Sequence, residues 1–352
     1  MKFMINKIWF LILLFVLLAC NGQHYDWKVY NSDVTNLKPI YESFNKILFI
    51  DNSVYLFGSR DESLNMSDMK YVVYKSTNFG KNWELILEGN GDIVNAFYAN
   101  QNIYLVKENY KENSYKDFKT TLLKFNIKTG ITENVYQFKK ESSVNDGILN
   151  EYGSGSLIIS NSFSSEDYSV FKTNDNFISY DSIPINKPIV KSHFNGSDIY
   201  LLSYDNNDTN EVIYALTKHN IIDSLRVNFD VTDFVVENDK SILLLGCNKN
   251  TIQLIKAYGK NKIVLNTFTN DEDFFPESIY KYNRFIAVVI GELNSLGVTY
   301  QLFLSFDDGK SFIREDLPIS YYVEPVAFYK DEKIIIYSGA GRISYCDLKK
   351  KM

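Results

Sequence analysis

The chain has 352 residues, of which 45% are hydrophobic and 15% aromatic, with 17 Gly, 6 Pro and 3 Cys. This composition excludes a disordered chain, a collagen-like chain and a small disulfide-stapled domain. The formal net charge of −6 argues against a nucleic-acid binder, which would carry a basic patch. The 26 Tyr and 25 Phe favour β-strands.

The first residues have the features of an export signal. Lys2 and Lys7 form a short positive region, and an apolar run of eleven residues follows at 8–18. That run is too short for a membrane-spanning helix, which needs about 20 residues, but it fits the apolar region of a secretory signal. It ends in Leu-Leu-Ala-Cys, which resembles the lipobox of bacterial lipoproteins with Cys20 as the lipidated residue. An ordinary signal peptide followed by an unrelated cysteine is the alternative.

The lipobox resemblance implies that residues 1–19 are a lipoprotein signal peptide and that 20–24 are a lipidated linker. Acyl chains on Cys20 would anchor the protein by burying methylenes at roughly 0.8 kcal/mol each. Loss of Lys2 and Lys7 would change the formal charge from −6 to −8. Because residues 21–24 carry no charged side chain, we expect an outer-membrane anchor that faces the periplasm.

A short apolar strand recurs seven times in the rest of the chain. Its central residues are Tyr55, Tyr104, Ile158, Tyr200, Leu243, Ile286 and Ile335. The spacings between them are 49, 54, 42, 43, 43 and 49 residues, in the range of four-stranded propeller blades. Continuous apolar runs are typical of strands that are buried on both faces. The repeat therefore predicts an inner strand in each of seven blades.

A polar turn motif follows the third predicted strand of several repeats. It reads STNFGKNW at 76–83 and SFDDGKSF at 305–312. A degenerate copy, TNDNFISY at 173–180, lacks the glycine, and Thr129 and Gly130 keep part of the pattern. These segments resemble the Asp-box, or BNR repeat, S-x-D-x-G-x-[ST]-[WF] of sialidase-like β-propellers.

The resemblance implies structural roles for the motif residues. The positions concerned are Ser76, Asn78, Gly80, Trp83, Thr173, Asp175, Ser305, Asp307, Gly309 and Phe312. The glycine supplies a positive φ angle, the Asp or Asn bonds the turn backbone, and the aromatic residue inserts between neighbouring sheets. We therefore expect no catalytic or metal-binding residue among them.

The last repeat contains three strands and needs a fourth. The segment DWKVY at 26–30 has the pattern of NWELI at 82–86, so we predict that the N-terminal strand completes the last blade. That pairing removes two open sheet edges. The prediction is an all-β fold in which residues 25–352 form one seven-bladed propeller of four-stranded antiparallel blades. Six blades with an irregular terminal segment are the alternative.

The catalytic residues of sialidases are largely missing. The family binds its substrate carboxylate with three arginines and carries an F-R-I-P motif, which this sequence lacks. Among the five arginines, only Arg60 and Arg342 are predicted to reach the face where the family binds its ligand. The resemblance therefore implies the fold and not the hydrolase activity. His24, His193 and His219 are isolated, so neither a zinc site nor a catalytic triad is supported, and we expect no metal or cofactor.

Loops between the second and third strands of the blades should emerge on one face. The two longest, Ser59–Lys70 and Lys107–Lys119, lie on adjacent blades, and the second mixes charges with Tyr and Phe. Because aromatic residues and arginine are enriched at recognition hot spots, we predict that Arg60, Tyr110 and Tyr115 contact a partner. Tolerated insertions are the alternative.

The predicted function is that of a non-catalytic, lipid-anchored propeller that binds a protein partner in the cell envelope. Asp-box propellers that resemble this chain serve in photosystem assembly, so an assembly factor is one form of this prediction. An immunity-type protein that neutralises a periplasmic toxin is another. A carbohydrate-binding protein or a divergent glycoside hydrolase is the alternative. We expect a monomer that contacts the membrane through its lipid anchor only and that binds no nucleic acid.

Overall fold

The computed structural model describes residues 28–31, 41–61, 66–78, 82–111, 114–139, 142–150, 152–161, 168–185, 188–195, 198–204, 211–216, 221–227, 229–259, 261–269, 273–295, 297–316, 326–330, 333–338 and 342–347. The predicted signal peptide, Cys20 and the linker 20–24 lie outside these ranges. Within the ranges, no helix has the length and apolar character needed to cross a membrane.

The described chain is built almost entirely of β-strands, which pair into four-stranded antiparallel sheets. The first strand is β1 (Lys28–Asn31). Sheet 1 contains β2 (Tyr41–Ile50), β3 (Ser53–Asp61), β4 (Lys70–Ser76) and β5 (Glu84–Asn90), with a 3₁₀ turn at Met66–Asp68. Sheet 2 contains β6 (Asp92–Ala99), β7 (Asn102–Lys111), β8 (Ser114–Asn126) and β9 (Thr132–Gln137). Sheet 3 contains β10 (Ser142–Leu149), β11 (Gly155–Asn161), β12 (Tyr168–Thr173) and β13 (Asp181–Ile185).

The remaining sheets follow the same order. Sheet 4 contains β14 (Ile189–Asn195), β15 (Asp198–Tyr204), β16 (Glu211–Leu216) and β17 (Ile221–Val227). Sheet 5 contains β18 (Asp230–Val236), β19 (Ile242–Asn248), β20 (Thr251–Tyr258) and β21 (Asn261–Thr269). Sheet 6 contains β22 (Phe274–Tyr282), β23 (Phe285–Asn294), β24 (Gly297–Ser305) and β25 (Ile313–Asp316). Sheet 7 contains β26 (Val326–Lys330), β27 (Lys333–Ser338) and β28 (Arg342–Asp347), and β1 pairs with β28.

Apolar side chains of the inner strands pack between neighbouring sheets. Phe57 and Val73 of sheet 1 share one core cluster with Ile93 and Leu105 of sheet 2, and all four are buried. Full burial of such a side chain contributes roughly 1.5–3 kcal/mol. The first strands contact one another in the order β2, β6, β10, β14, β18, β22 and β26. This radial arrangement confirms the prediction of an all-β propeller with four-stranded antiparallel blades.

Most side chains are described in each strand of sheets 1, 2, 3, 5 and 6, some in sheet 4, and none in sheet 7. Five blades are thus established. The predicted total of seven in one ring, like the alternative of six, stays a prediction.

The ends of the strands define two faces of the propeller. In sheets 1 to 6 the turns between the first and second strands and between the third and fourth strands lie at the same end, which we name the turn face. In sheet 7 the corresponding end is that of β26 and β28. Hydrogen bonds join turns of neighbouring sheets at the turn face, for example from Asn195 Nδ2 to the carbonyl oxygen of Glu237 at 2.7 Å. The opposite end carries the connections between second and third strands, and we name it the loop face.

A β-bulge interrupts the first strand of sheets 1 to 6 close to the loop face. The register shifts between Phe44 and Lys46 in β2 and between Val231 and Asp233 in β18, with equivalent shifts in β6, β10, β14 and β22. A bulge redirects the side chains that follow it. In β18 it aims the buried Asp233 at the neighbouring sheets, where it accepts a bond from the Ile279 amide at 2.9 Å and pairs with Lys191 at 2.7 Å.

Candidate functional site

The β7–β8 hairpin extends beyond the rest of its sheet at the loop face. The first strand of the sheet begins at Asp92, which lies opposite Glu108, whereas β7 and β8 stay paired as far as Lys111 and Ser114. At about 3.3 Å per residue, the three extra residues of β7 project about 10 Å. The predicted loop Lys107–Lys119 is therefore largely a pair of strands, which is a correction.

Contacts between its two strands explain why this polar segment forms a hairpin. Tyr110 lies opposite Phe118, and their ring centroids are 5.7 Å apart. Lys111 Nζ lies 2.7 Å from Asp117 Oδ2. Cross-strand aromatic and charged pairs each contribute roughly 0.2–1 kcal/mol to a sheet. The sequence pattern does not predict these strands, because their many charged residues interrupt the alternation of apolar and polar side chains that indicates a strand.

Two carboxyl groups lie at the base of this hairpin. Glu108 is only 4% exposed, and its oxygens accept hydrogen bonds from the Tyr110 hydroxyl at 2.6 Å and from Ser143 Oγ at 3.0 Å. Asp92 lies directly across the strand pair and accepts a bond from Asn45 Nδ2 at 3.3 Å. The pair therefore connects residues of three neighbouring sheets.

Burial raises the pKa of both acids. Desolvation raises the pKa of Glu108, and the negative charge of Asp92 raises it further, while the bonds from Tyr110 and Ser143 act in the opposite direction. Desolvation also raises the pKa of Asp92, against a lowering effect of a hydrogen bond from Ser59. Both carboxyl groups therefore have a pKa above the value of a free side chain, mainly because they are buried.

The predicted contact residue Arg60 is not in an exposed loop. It belongs to β3, is 6% exposed, and its guanidinium is bound to the Glu88 carboxylate, which also lies 3.8 Å from Lys70 Nζ. Tyr110 is half-buried, with its hydroxyl on Glu108. Tyr115 lies in β8, and its side chain lies outside the described residues. The structure thus brings 110 and 115 onto one hairpin and places Arg60 in the neighbouring sheet.

The turn at 305–312 is closed by two side chains. Ser305 Oγ accepts a bond from the Gly309 amide at 2.8 Å and donates to Asp307 at 2.8 Å. The Asp307 carboxylate accepts bonds from the Ser311 amide at 3.0 Å and from the Ser311 hydroxyl at 2.6 Å, and these bonds hold the pKa of Asp307 well below its usual range. Gly309 has a φ of +83°, as the motif requires.

The aromatic residue of the same turn lies between two sheets. Phe312 packs edge-on against Phe268 of sheet 5, with ring centroids 5.3 Å apart. Sequence reasoning predicted this insertion from the motif.

The turn at 173–180 keeps the same bonds without the glycine. Thr173 Oγ1 accepts a bond from the Phe177 amide at 2.9 Å and donates to Asp175 at 2.9 Å. Asp175 accepts from Ser179, as Asp307 accepts from Ser311 in the other turn, and this lowers the pKa of Asp175. Phe177 occupies the glycine position with a φ of +64° and is 4% exposed. Its burial between sheets 2 and 3 offsets the backbone strain.

The first turn is described in part. Ser76 Oγ lies 3.0 Å from Asn78 Oδ1, which accepts a bond from the Asn82 amide at 2.9 Å. Trp83 is half-buried and packs against a cluster of sheet 1 that includes Phe44. Gly80 lies outside the described residues.

Sequence reasoning missed the Asp92–Glu108 pair. The two acids are 16 positions apart along the chain, and only the register of β6 with β7 places them side by side. Over the part of the chain that the structure describes, no group of three or more His, Cys, Asp or Glu side chains is arranged to hold a metal ion.

No family model matches the sequence, and no curated protein does. Solved structures match in fold. YCF48 from Cyanidioschyzon merolae is 10% identical with a TM-score of 0.58, over 93% of this chain and 99% of that chain. The β-propeller domain of the Trilobed protease from Pyrococcus furiosus is 11% identical with a TM-score of 0.56, over 84% and 89%. An acylaminoacyl peptidase from Pyrococcus horikoshii is 11% identical with a TM-score of 0.58, over 88% of this chain but 50% of that chain. These likenesses show the β-propeller fold.

Proposed function

We propose that this chain is a non-catalytic, lipid-anchored β-propeller that binds a protein partner in the cell envelope through its β7–β8 hairpin. The projection of that hairpin from the loop face carries the proposal. Its strands are fixed by the Tyr110–Phe118 and Lys111–Asp117 contacts, so little conformational entropy is lost when a partner binds. An ordered, projecting hairpin is better explained as a recognition element than as a tolerated insertion.

Two observations favour binding over catalysis. The Arg60 guanidinium is bound to Glu88, so it is not available for a substrate carboxylate. Both oxygens of Glu108 accept bonds from side chains of the protein itself. We infer that Arg60 supports the base of the surface, and that Tyr110 and Tyr115 belong to the hairpin that meets the partner.

The remaining parts of the proposal rest on the sequence. Residues 1–19 are the signal peptide and Cys20 is lipidated, which anchors residues 25–352 to the outer membrane on its periplasmic side. The turns at 76–83, 173–180 and 305–312 are Asp boxes, an assignment supported by the shared bonding of the second and third. The pairing of β1 with β28 supports one closed ring of seven blades. An assembly factor and an immunity-type protein both need only such a rigid surface.

Photo-crosslinking tests the proposed surface. A crosslinkable amino acid replaces the exposed Lys119 on the hairpin or, as a matched control, the exposed Lys310 on the turn face. We expect a discrete protein adduct from position 119 in envelope preparations of the native cell and none from position 310. Equal adducts from both positions, or none from 119, would contradict the proposal.

The Asp92–Glu108 pair favours a second candidate, a divergent glycoside hydrolase, because paired carboxyl groups are the usual machinery of that reaction. The test is turnover of sialosides and of chromogenic hexosides by the purified protein. Turnover that disappears in Glu108→Gln would establish this candidate. No turnover, together with a specific adduct at position 119, would leave the binding function.

A further inference from the structure

The direction of β1 determines on which face the N-terminal segment enters the propeller. Lys28, the first residue of β1, lies opposite Tyr345, close to the end of β28, and Asn31 lies opposite Arg342, where β28 begins. Because β28 is the third strand of its sheet, its end lies at the turn face. The chain therefore enters β1 from the turn face. The eight residues from Cys20 to Lys28 can span at most about 28 Å.

Exposed large hydrophobic side chains are concentrated on the same face. Ile178 is 85% exposed in the turn between β12 and β13, and Tyr152 is 76% exposed in the turn between β10 and β11. These two turns touch, since the Asn176 amide donates to the Gly153 carbonyl oxygen at 2.9 Å. Ile131, Tyr258 and Tyr282 are also exposed beside turns of this face.

The loop face differs in this respect. Among the described residues, Leu293 is the only exposed large hydrophobic side chain at that end of the propeller, and the projecting hairpin there is rich in charge. Among the described residues, exposed large hydrophobic side chains therefore lie mostly on the face from which the chain enters, where they stand beside charged residues such as Lys240 and Lys310.

We propose that the turn face lies against the lipid bilayer, with Tyr152 and Ile178 at its contact point. The inference rests on the lipidation of Cys20 in the proposed function and extends it, because the membrane then holds the protein through a surface as well as through the anchor. A tether of at most about 28 Å, attached to β1 of sheet 7, holds the turn face close to the bilayer, and Tyr152 and Ile178 of sheet 3 lie on that same face. Tyrosine is favoured there because its ring is apolar and its hydroxyl stays hydrated.

This arrangement fixes the direction of the binding surface. With the turn face against the bilayer, the β7–β8 hairpin points away from the membrane, where a partner in the aqueous compartment can reach it. The same chain therefore separates the attachment and recognition tasks onto opposite ends of the blades.

Depth-dependent quenching tests the orientation in the full lipoprotein. A bimane label is placed on I178C or, as the matched control, on L293C, in a chain whose Cys247 and Cys346 are serine and whose thermal melt matches the parent. The protein is reconstituted into phosphatidylethanolamine–phosphatidylcholine vesicles that contain headgroup-labelled nitroxide lipid. Because an interfacial apolar face lies about 5–10 Å into the headgroup boundary, we expect quenching about twofold or more stronger at 178 than at 293.

The outcomes separate the two proposals. Mass spectrometry of the N-terminal peptide reports whether Cys20 is acylated. An acylated protein with equal quenching at both positions overturns the orientation and leaves the anchor. An unmodified Cys20 overturns the anchor and, with it, this inference. If the serine background does not fold, amide hydrogen exchange of the unaltered lipoprotein decides: slower exchange of 150–154 and 174–180 in vesicles than in detergent supports the orientation, and unchanged exchange overturns it.

Discussion

At the scale of single residues, two glycines with positive φ angles illustrate how the turns are built. Gly309 has a φ of +83°, and a Cβ added there would lie 3.1 Å from Leu265 and 3.3 Å from Ile286. Gly130 has a φ of +71°, and a Cβ there would meet nothing within 4 Å. A side chain at Gly309 would therefore be opposed both by the backbone angle and by core contacts, whereas one at Gly130 would be opposed by the backbone angle alone.

We expect Gly309→Ala to destabilise the protein more than Gly130→Ala. Both variants carry the left-handed backbone strain of about 1–2 kcal/mol, but only the first also displaces core side chains. Urea unfolding of both variants checks the difference. Equal midpoints would show that the turn at 305–312 is not packed as described.

The buried carboxyl group of Glu108 predicts a pH dependence. Because its native pKa lies above its unfolded value of about 4.3, the native state binds more protons between the two values, and stability falls as the pH rises through that window. In Glu108→Gln this contribution is absent. We therefore expect the variant to gain stability relative to the parent as the pH rises from about 4.

Urea midpoints at several pH values measure this effect, with the exposed Glu84→Gln on β5 as the control. Parallel profiles of Glu108→Gln and the parent would contradict a raised native pKa for Glu108.

At the scale of elements, β1 is the strand that joins the two ends of the described chain. It is four residues long and pairs only with β28. In an antiparallel pair, alternate residues point their amide towards the partner, so of Val29 and Tyr30 one donates to β28 and the other faces away.

Proline scanning of β1 follows from this alternation. One of Val29→Pro and Tyr30→Pro removes a ladder bond, which costs about 0.5–1.5 kcal/mol, and the other is tolerated because β1 is an edge strand. Thermal melts of the two variants form a matched pair. If neither variant lowers the melting temperature, β1 does not close the sheet.

At the scale of the whole molecule, ion pairs on the turn face connect neighbouring blades. The Lys281 side chain of sheet 6 is 9% exposed and forms an ion pair with Asp308 of its own sheet. Its Nζ also lies 3.4 Å from Glu237 Oε1 of sheet 5. Glu237 also bonds Lys256 at 2.5 Å. In contrast, Lys240 pairs with Asp198 between sheets 5 and 4 in an exposed position.

We expect Lys281→Met to cost about 3 kcal/mol, the lower end of the range for a buried pair, because it leaves part of the Glu237 charge uncompensated and Asp308 is partly hydrated. Lys240→Met should cost much less than Lys281→Met, because solvent screens an exposed pair. Unfolding free energies of the two variants provide the measurement. A similar loss in both would mean that burial does not distinguish these pairs.

The sequence by itself determined the repeating unit, because buried inner strands must be apolar and the spacing of 42 to 54 residues leaves room for four strands in each unit. It also determined the turn at 305–312, where Ser305, Asp307 and Gly309 act within a few residues of one another. Local bonds of this kind are encoded by short motifs.

Only the tertiary structure decided the site. Asp92 and Glu108 become neighbours through the register of β6 with β7. The Arg60 guanidinium is bound to the Glu88 carboxylate and is not exposed for a partner. The hairpin that ends at Lys111 forms from cross-strand contacts. The two faces likewise depend on the direction of strands that are distant in sequence. Such pairings arise between segments whose individual composition does not specify a partner, because a β-strand forms its hydrogen bonds with another segment and not within itself.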